Sequence, residues 1–268
     1  FWMCLRRTCS QTWKPFCSAD VHKPALIRLR EEKTHSITLL TDQPGVESAG
    51  FLHGFLSRTL KGGGSAVLLH FEQSERHYET VSRKLGVHLE QAAEAGRFSF
   101  LDGLSAPTTS HGNLEDTGKF QFQEHLSAED NLRTLSIKTR SLIRKLPEGR
   151  RCLIVDSLST LCSLCGGNAV LELWESWRTL VLKEECSLVV GIHKDSPEEE
   201  VVASSIARCA DDCVDVRVLA TGASRDVHGQ VAVTRCDRDS LAPPSHELLH
   251  FRFRETGLRL FPPGHPPM

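Results

Sequence analysis

From residue 36 onward the chain alternates two patterns. Short runs of consecutive apolar residues predict strands covered on both faces, and longer stretches with apolar positions every three or four residues predict helices laid against them. Residues 36–41 (SITLLT), 66–71 (AVLLHF), 98–101, 151–157 (RCLIVDS) and 187–193 (SLVVGIH) read as strands. Residues 51–60, apolar at 51, 52, 55, 56 and 60, read as a helix, as do 77–85, 88–95, 128–146, 169–183 and 200–209. Glycines at 62–64, 86 and 96 stand where helices should stop, and Ser127 with Asp130 offers an N-terminal cap for the helix at 128. Residues 42–50 (DQPGVESAG) are turn-like, and 104–119 form a long polar loop. Strands 215–221, 229–235 and 250–261 then follow one another without helices, and two of them should pair as a hairpin. The order predicts an α/β domain over residues 31–268, with a mostly parallel sheet, helices on both faces and an antiparallel C-terminal edge.

The first strand, turn and helix carry the most chemical information. A phosphate-binding P-loop needs Gly-x4-Gly-Lys-Ser/Thr at this place. Gly45 and Gly50 keep the spacing, but Phe51 and Leu52 stand where the lysine and the hydroxyl belong. The lysine supplies charge to the β/γ-phosphates and the hydroxyl holds Mg²⁺. Each charged hydrogen bond lost costs about 1.5–3 kcal/mol, and Glu47 puts a negative charge inside the turn. The expectation is a degenerate Walker A turn without hydrolytic function. Asp156, at the end of the apolar run Leu153-Ile154-Val155, stands where a Walker B acid would organise Mg²⁺, and otherwise caps a turn. Glu72, after the second strand, is either a catalytic-type acid or a solvated surface residue.

Charge is uneven. Residues 1–30 hold six Lys or Arg and one Asp, whereas the remainder holds 26 basic and 33 acidic residues. The segment 1–30 reads as a basic extension, disordered or non-native, with a transit peptide as the alternative. The acidic body argues against strong non-specific nucleic-acid binding. The longest stretch without Asp, Glu, Lys or Arg is 15 residues (157–171), too short to span a bilayer.

Ten cysteines in 268 residues are too sparse for a disulfide scaffold and read as reduced thiols. Cys162-x2-Cys165 with Cys209-x3-Cys213 could supply thiolates to zinc, but no finger spacing follows, so no metal is expected. Residues 133–151 carry a basic strip that includes Arg140, Arg144 and Lys145. It reads as a solvated helix face or as a meeting point for RNA phosphates. Arg225, Asp226 and His228 lie in a polar loop between strands, suited to partner or RNA contacts. The structural alternative is a hairpin in which Asp226 bonds local backbone and Gly229 takes a positive φ.

Residues 219–230 (LATGASRDVHGQ) resemble the Elongator complex protein 6 family, as do Lys84-Leu85-Gly86-Val87 after His77-Tyr78, Phe100-Leu101-Asp102-Gly103-Leu104, and 153–161 (LIVDSLSTL). The resemblance covers about residues 36–261. It implies a RecA-like fold and a non-catalytic subunit with no cofactor. It also implies a hexameric ring with the fourth and fifth Elongator subunits, two copies of each, that binds tRNA and supports wobble-uridine modification, with the chemistry in another subunit. The implied location is the cytoplasm, with the nucleus as a second site. Arg225 could serve a neighbour's ATP site in trans. The rivals are an active P-loop ATPase of the recombinase type and a RecA-like adaptor of another complex, such as one in DNA repair.

Overall fold

The computed structural model describes residues 35–103, 118–222, 224–236, 242–254 and 257–264. The basic extension at 1–30, and residues 104–117 of the polar loop, lie outside them. Strands β1 (Ile37–Asp42), β2 (Ser65–His70), β3 (Phe98–Asp102), β4 (Arg151–Asp156) and β5 (Cys186–His193) alternate with helices. These helices are α1 (Ala49–Lys61), α2 (Glu75–Lys84), α3 (Leu89–Glu94), α4 (Ala128–Lys145), α5 (Leu158–Cys165), α6 (Gly167–Lys183) and α7 (Pro197–Ala207). Strands β6 (Asp212–Arg217), β7 (Gly229–Arg235), β8 (Ser245–Arg254) and β9 (Gly257–Phe261) complete the chain.

All nine strands join in one sheet of order β3-β2-β4-β5-β1-β6-β7-β8-β9. Pairing is parallel from β3 through β6 and antiparallel from β6 to β9. The uninterrupted apolar runs at β1, β2, β4 and β5 are buried because helices cover both faces. One core gathers Leu153, Val155, Leu188 and Val190 under Trp174 and Trp177 of α6. The other gathers Leu68, Ile154 and Val189 against Phe51, Leu56 and Leu60 of α1, and it continues into Val231, Leu249 and Phe251 of the antiparallel strands.

Helix boundaries follow their caps. The Ser127 side chain accepts from the Asp130 amide, as expected, and Ser74 and Ser196 act likewise at α2 and α7. Three expectations need correction. The expected strand at 215–221 is β6, three residues earlier, because Asp212-Cys213-Val214-Asp215-Val216 alternates and so suits a strand covered mainly on one face. The expected strand at 250–261 is the hairpin β8–β9, with Gly257 at φ +131° closing its end. The helix expected from 169 starts at Gly167, and a separate helix, α5, precedes it. Gly166, at φ +81°, turns the chain between them. The Gly167 amide donates to Glu198 Oε1 at 2.6 Å, so an acid of α7 caps α6 from outside. No helix among the described residues is long and apolar enough to cross a membrane.

Candidate functional site

In an open α/β sheet, ligand sites form beyond the carboxyl ends of the strands, where successive connections leave for opposite faces. Here α1 leaves β1 toward one core and α5 leaves β4 toward the other. The carboxyl ends of β4, β5 and β1 present Asp156, His193 and Asp42 side by side. An open groove of about 640 Å³ lies over the glycine turn, walled by Asp42, Glu47, His193 and Asp195 and backed by Phe251 and Phe253. A smaller cavity of about 140 Å³ shares Glu47 and His193 with it and reaches Glu72 and Asp156.

The turn is closed by its own strand. Gly45 takes φ +94°, and the Val46 amide donates to Gln43 O at 3.2 Å. The Ser48 amide, at the start of α1, donates to Asp42 Oδ2 at 2.7 Å. A backbone donor that could face an anion is therefore held by an internal carboxylate. Gly50 is required for a different reason. A Cβ there would stand 2.2 Å from Phe253 Cε1.

Phe51 is fully buried, edge-to-face with Phe251 (centroids 5.3 Å apart) and Phe253 (6.0 Å). Burying such a ring contributes about 1.5–3 kcal/mol, and each aromatic pair about 0.5–1.5 kcal/mol more. Leu52 is also buried, its Cδ1 3.4 Å from where a Cβ on Gly191 of β5 would lie. The two residues after Gly50 thus point into the core.

Asp156 is buried, and its carboxylate is fully engaged. Oδ1 accepts from Phe71 N (2.7 Å) and Glu72 N (3.3 Å), and Oδ2 from Gln73 N (3.4 Å) and the Tyr78 hydroxyl (2.5 Å). Burial pushes its pKa up to about 7, against the pull of these donors. Its own burial, and then the same acid, push the Tyr78 phenol far above its ordinary value. Glu72 is not a bare surface acid. It meets His193 Nε2 at 3.0 Å, while His193 Nδ1 meets Asp42 at 2.5 Å. The hydrogen bonds from Asp42 and then Glu72 raise the His193 pKa to about 10, so the ring is an imidazolium between two carboxylates.

The loop before β7 packs on the same groove through His228. The Phe253 amide donates to His228 Nδ1 at 3.1 Å, and the His228 amide donates to Phe251 O at 2.9 Å. Asp226 pairs with Arg252 at 2.9 Å instead of bonding local backbone. Gly229 does not take a positive φ. It is needed because a Cβ would meet Phe251 Cε1 at 2.6 Å. Arg225 is exposed. Of the basic strip, Arg144 pairs with Glu184 at 2.7 Å, Arg140 is half-buried and Lys145 is exposed. The seven described cysteines are thiols outside any disulfide, and no group of three or more His, Cys, Asp or Glu among the described residues could hold a metal ion.

Phe51, Leu52, Gly45, Gly50 and Asp156 therefore belong to one locality. Asp226 and His228 brace its aromatic wall, and Arg140, Arg144 and Lys145 belong to α4. The groove also uses Asp42, His193 and Phe253, which the sequence pattern did not single out. Asp42 and His193 each end a parallel strand, and that position was the available signal.

A family model described as Elongation complex protein 6 matches residues 27–255. The chain belongs to that family. Human Elongator complex protein 6 is 32% identical over 209 residues, covering 74% of this chain and 78% of the relative. The Danio rerio protein of the same name is 30% identical over 246 residues, covering 87% and 92%. Among solved structures, a KaiC-like protein from Pyrococcus horikoshii superposes with a TM-score of 0.57 at 12% identity, covering 85% of this chain and 90% of that one. Membership in the Elongator complex protein 6 family thus comes with the RecA-like fold that the resemblance implied.

Proposed function

We propose that this chain is a non-catalytic subunit of Elongator. In this reading it joins the fourth and fifth subunits, two copies of each, in a hexameric ring that binds tRNA. The ring supports wobble-uridine modification carried out elsewhere in the complex, in the cytoplasm and also the nucleus. The Walker A turn is degenerate and retained for shape. One observation carries the reading: the residue in the P-loop lysine position, Phe51, is fully buried between Phe251 and Phe253. A side chain committed to the core cannot reach a phosphate. The Ser48–Asp42 bond and the four donors on Asp156 support the same conclusion, because the groups that would meet phosphate and Mg²⁺ are already paired within the chain.

A RecA-like domain without such a site still presents rigid heterologous faces, and faces of that kind close into rings. Arg225 and the α4 cations Arg140 and Lys145 are the proposed places for partner or RNA contact. Co-expression with the two sister subunits, followed by native mass spectrometry, tests the assembly. A stable 2:2:2 species is expected, and its absence overturns the reading. Titration of the isolated chain with a fluorescent ATP analogue should show no micromolar binding. Saturable micromolar binding would favour an active ATPase.

A further inference from the structure

We infer that the groove over the glycine turn is a socket for an arginine-bearing segment of a partner protein, which makes it the electrostatic opposite of a nucleotide site. This deepens the assembly reading above and rests on it for the partner's presence. The groove has about 640 Å³, within the roughly 300–1,000 Å³ of clefts that hold a ligand, so it accommodates a loop and not merely one ion. No lysine or arginine lines it.

Two of its wall carboxylates, Glu47 and Asp195, are exposed, and among the described residues neither side chain has a hydrogen bond or ion pair. A third, Asp42, lies behind them, and it and Glu72 already share the single imidazolium of His193. With all five groups ionised, the site sums to three negative charges. Glu47 and Asp195 precede the first turns of α1 and α7, and each helix N-terminus offsets about half a charge. About two negative charges therefore remain uncompensated.

That field repels phosphate and attracts a cation. The half-buried ring of Phe253 and the exposed Pro44 give the groove an apolar side. A guanidinium suits this combination better than an ammonium. It can lie flat against a ring while its edge donates to carboxylates on either side.

The test uses the full chain and the double variant Glu47→Gln/Asp195→Asn. Both positions are exposed, so thermal unfolding of the variant should match that of the unmodified chain, which controls for folding. The probe is a blocked Gly-Arg-Gly peptide and its neutral citrulline counterpart, followed by amide NMR shifts. The arginine peptide should move the signals of residues 45–47 and Asp195. Its affinity should fall at least tenfold with citrulline and at least tenfold in the double variant. Equal binding of both peptides, or no saturable shift, overturns the inference, as does Mg²⁺-ATP moving the same signals.

Co-expression separates this failure from failure of the assembly reading. If the unmodified chain forms the ring and the double variant forms one equally resistant to dissociation, the socket is wrong and the scaffold stands. If the unmodified chain forms no ring, the scaffold reading fails, and the peptide titration decides the socket alone.

Discussion

The hydroxyl of Tyr78 reaches from α2 to Asp156 Oδ2 at 2.5 Å, so the acid that ends β4 is held by a helix two strands earlier in the chain. Only Tyr78 and Ser82 of α2 are buried, so this bond and the packing of the Tyr78 ring tie an otherwise polar helix to the sheet. Tyr78→Phe keeps the ring and removes the donor. It should lower stability by about 1.5–3 kcal/mol, the scale of a hydrogen bond to a charged group. Urea unfolding with an unchanged m-value would measure it, and a loss under about 0.5 kcal/mol would show the bond to be unimportant.

Placing P-loop residues after Gly50 should not create a nucleotide site. Phe51→Lys with Leu52→Ser would bury an unpaired ammonium among Phe251 and Phe253. The expected cost is about 3–5 kcal/mol, with no gain in ATP binding. Circular dichroism melting and a nucleotide titration check both halves. Micromolar nucleotide affinity in the double variant would contradict the packing argument.

Two histidines should tie stability to pH in opposite senses. His193 is raised from 6.5 to about 10 by Asp42 and Glu72, so its contribution is complete below about pH 6.5 and is lost as pH rises toward 10. The stability gap between the unmodified chain and His193→Gln should therefore close across that window. His53 moves the other way. Burial, then the neighbouring His77, lowers it to about 4, and neither ring nitrogen has a partner. Below pH 6.5 the unfolded chain takes up the proton first, so the contribution of His53 is lost between about 6.5 and 4, against the opposite slope of Asp156, whose raised pKa favours the folded chain as pH falls below about 7. His53→Phe should flatten that acid slope in chemical unfolding measured across the range.

The junction between α5 and α6 gives a fourth test. Glu198→Ala removes the side chain that accepts from the Gly167 amide and should cost about 0.5–2 kcal/mol, as loss of a helix cap does. Gly167→Ala should cost a similar amount by another route, since its Cβ would stand 2.9 Å from Glu198 Cγ and displace the same acid. If both substitutions act on one contact, the double variant should be less destabilised than the two single effects added.

The sheet and its parallel half were legible because buried strands such as 66–71 and 151–156 read as unbroken apolar runs, with glycines and serines marking the helix ends. Helix α5 was not, because Leu158–Cys165 is short and follows the apolar run of β4 inside one uncharged stretch, so its own apolar face at 158, 161, 162 and 165 did not stand out. The hairpin β8–β9 was hidden because its strands carry alternating polar residues with little to punctuate them except Gly257. At the site, Phe51 and Leu52 after the glycine turn were visible. What packs around Phe51 was not, since Phe251 and Phe253 arrive from 200 residues away in the chain. Contacts of that separation, like His193 with Asp42, leave no local periodicity.

A turn whose capping residue, Ser48, is tied through its amide to Asp42 of the preceding strand is finished when the chain folds. It needs no bound phosphate to take its shape, and it loses none when phosphate leaves. On the function proposed above, the molecule has one resting form around this turn, indifferent to the ratio of ATP to ADP. It gives any neighbour a surface that stays constant while other parts of an assembly cycle.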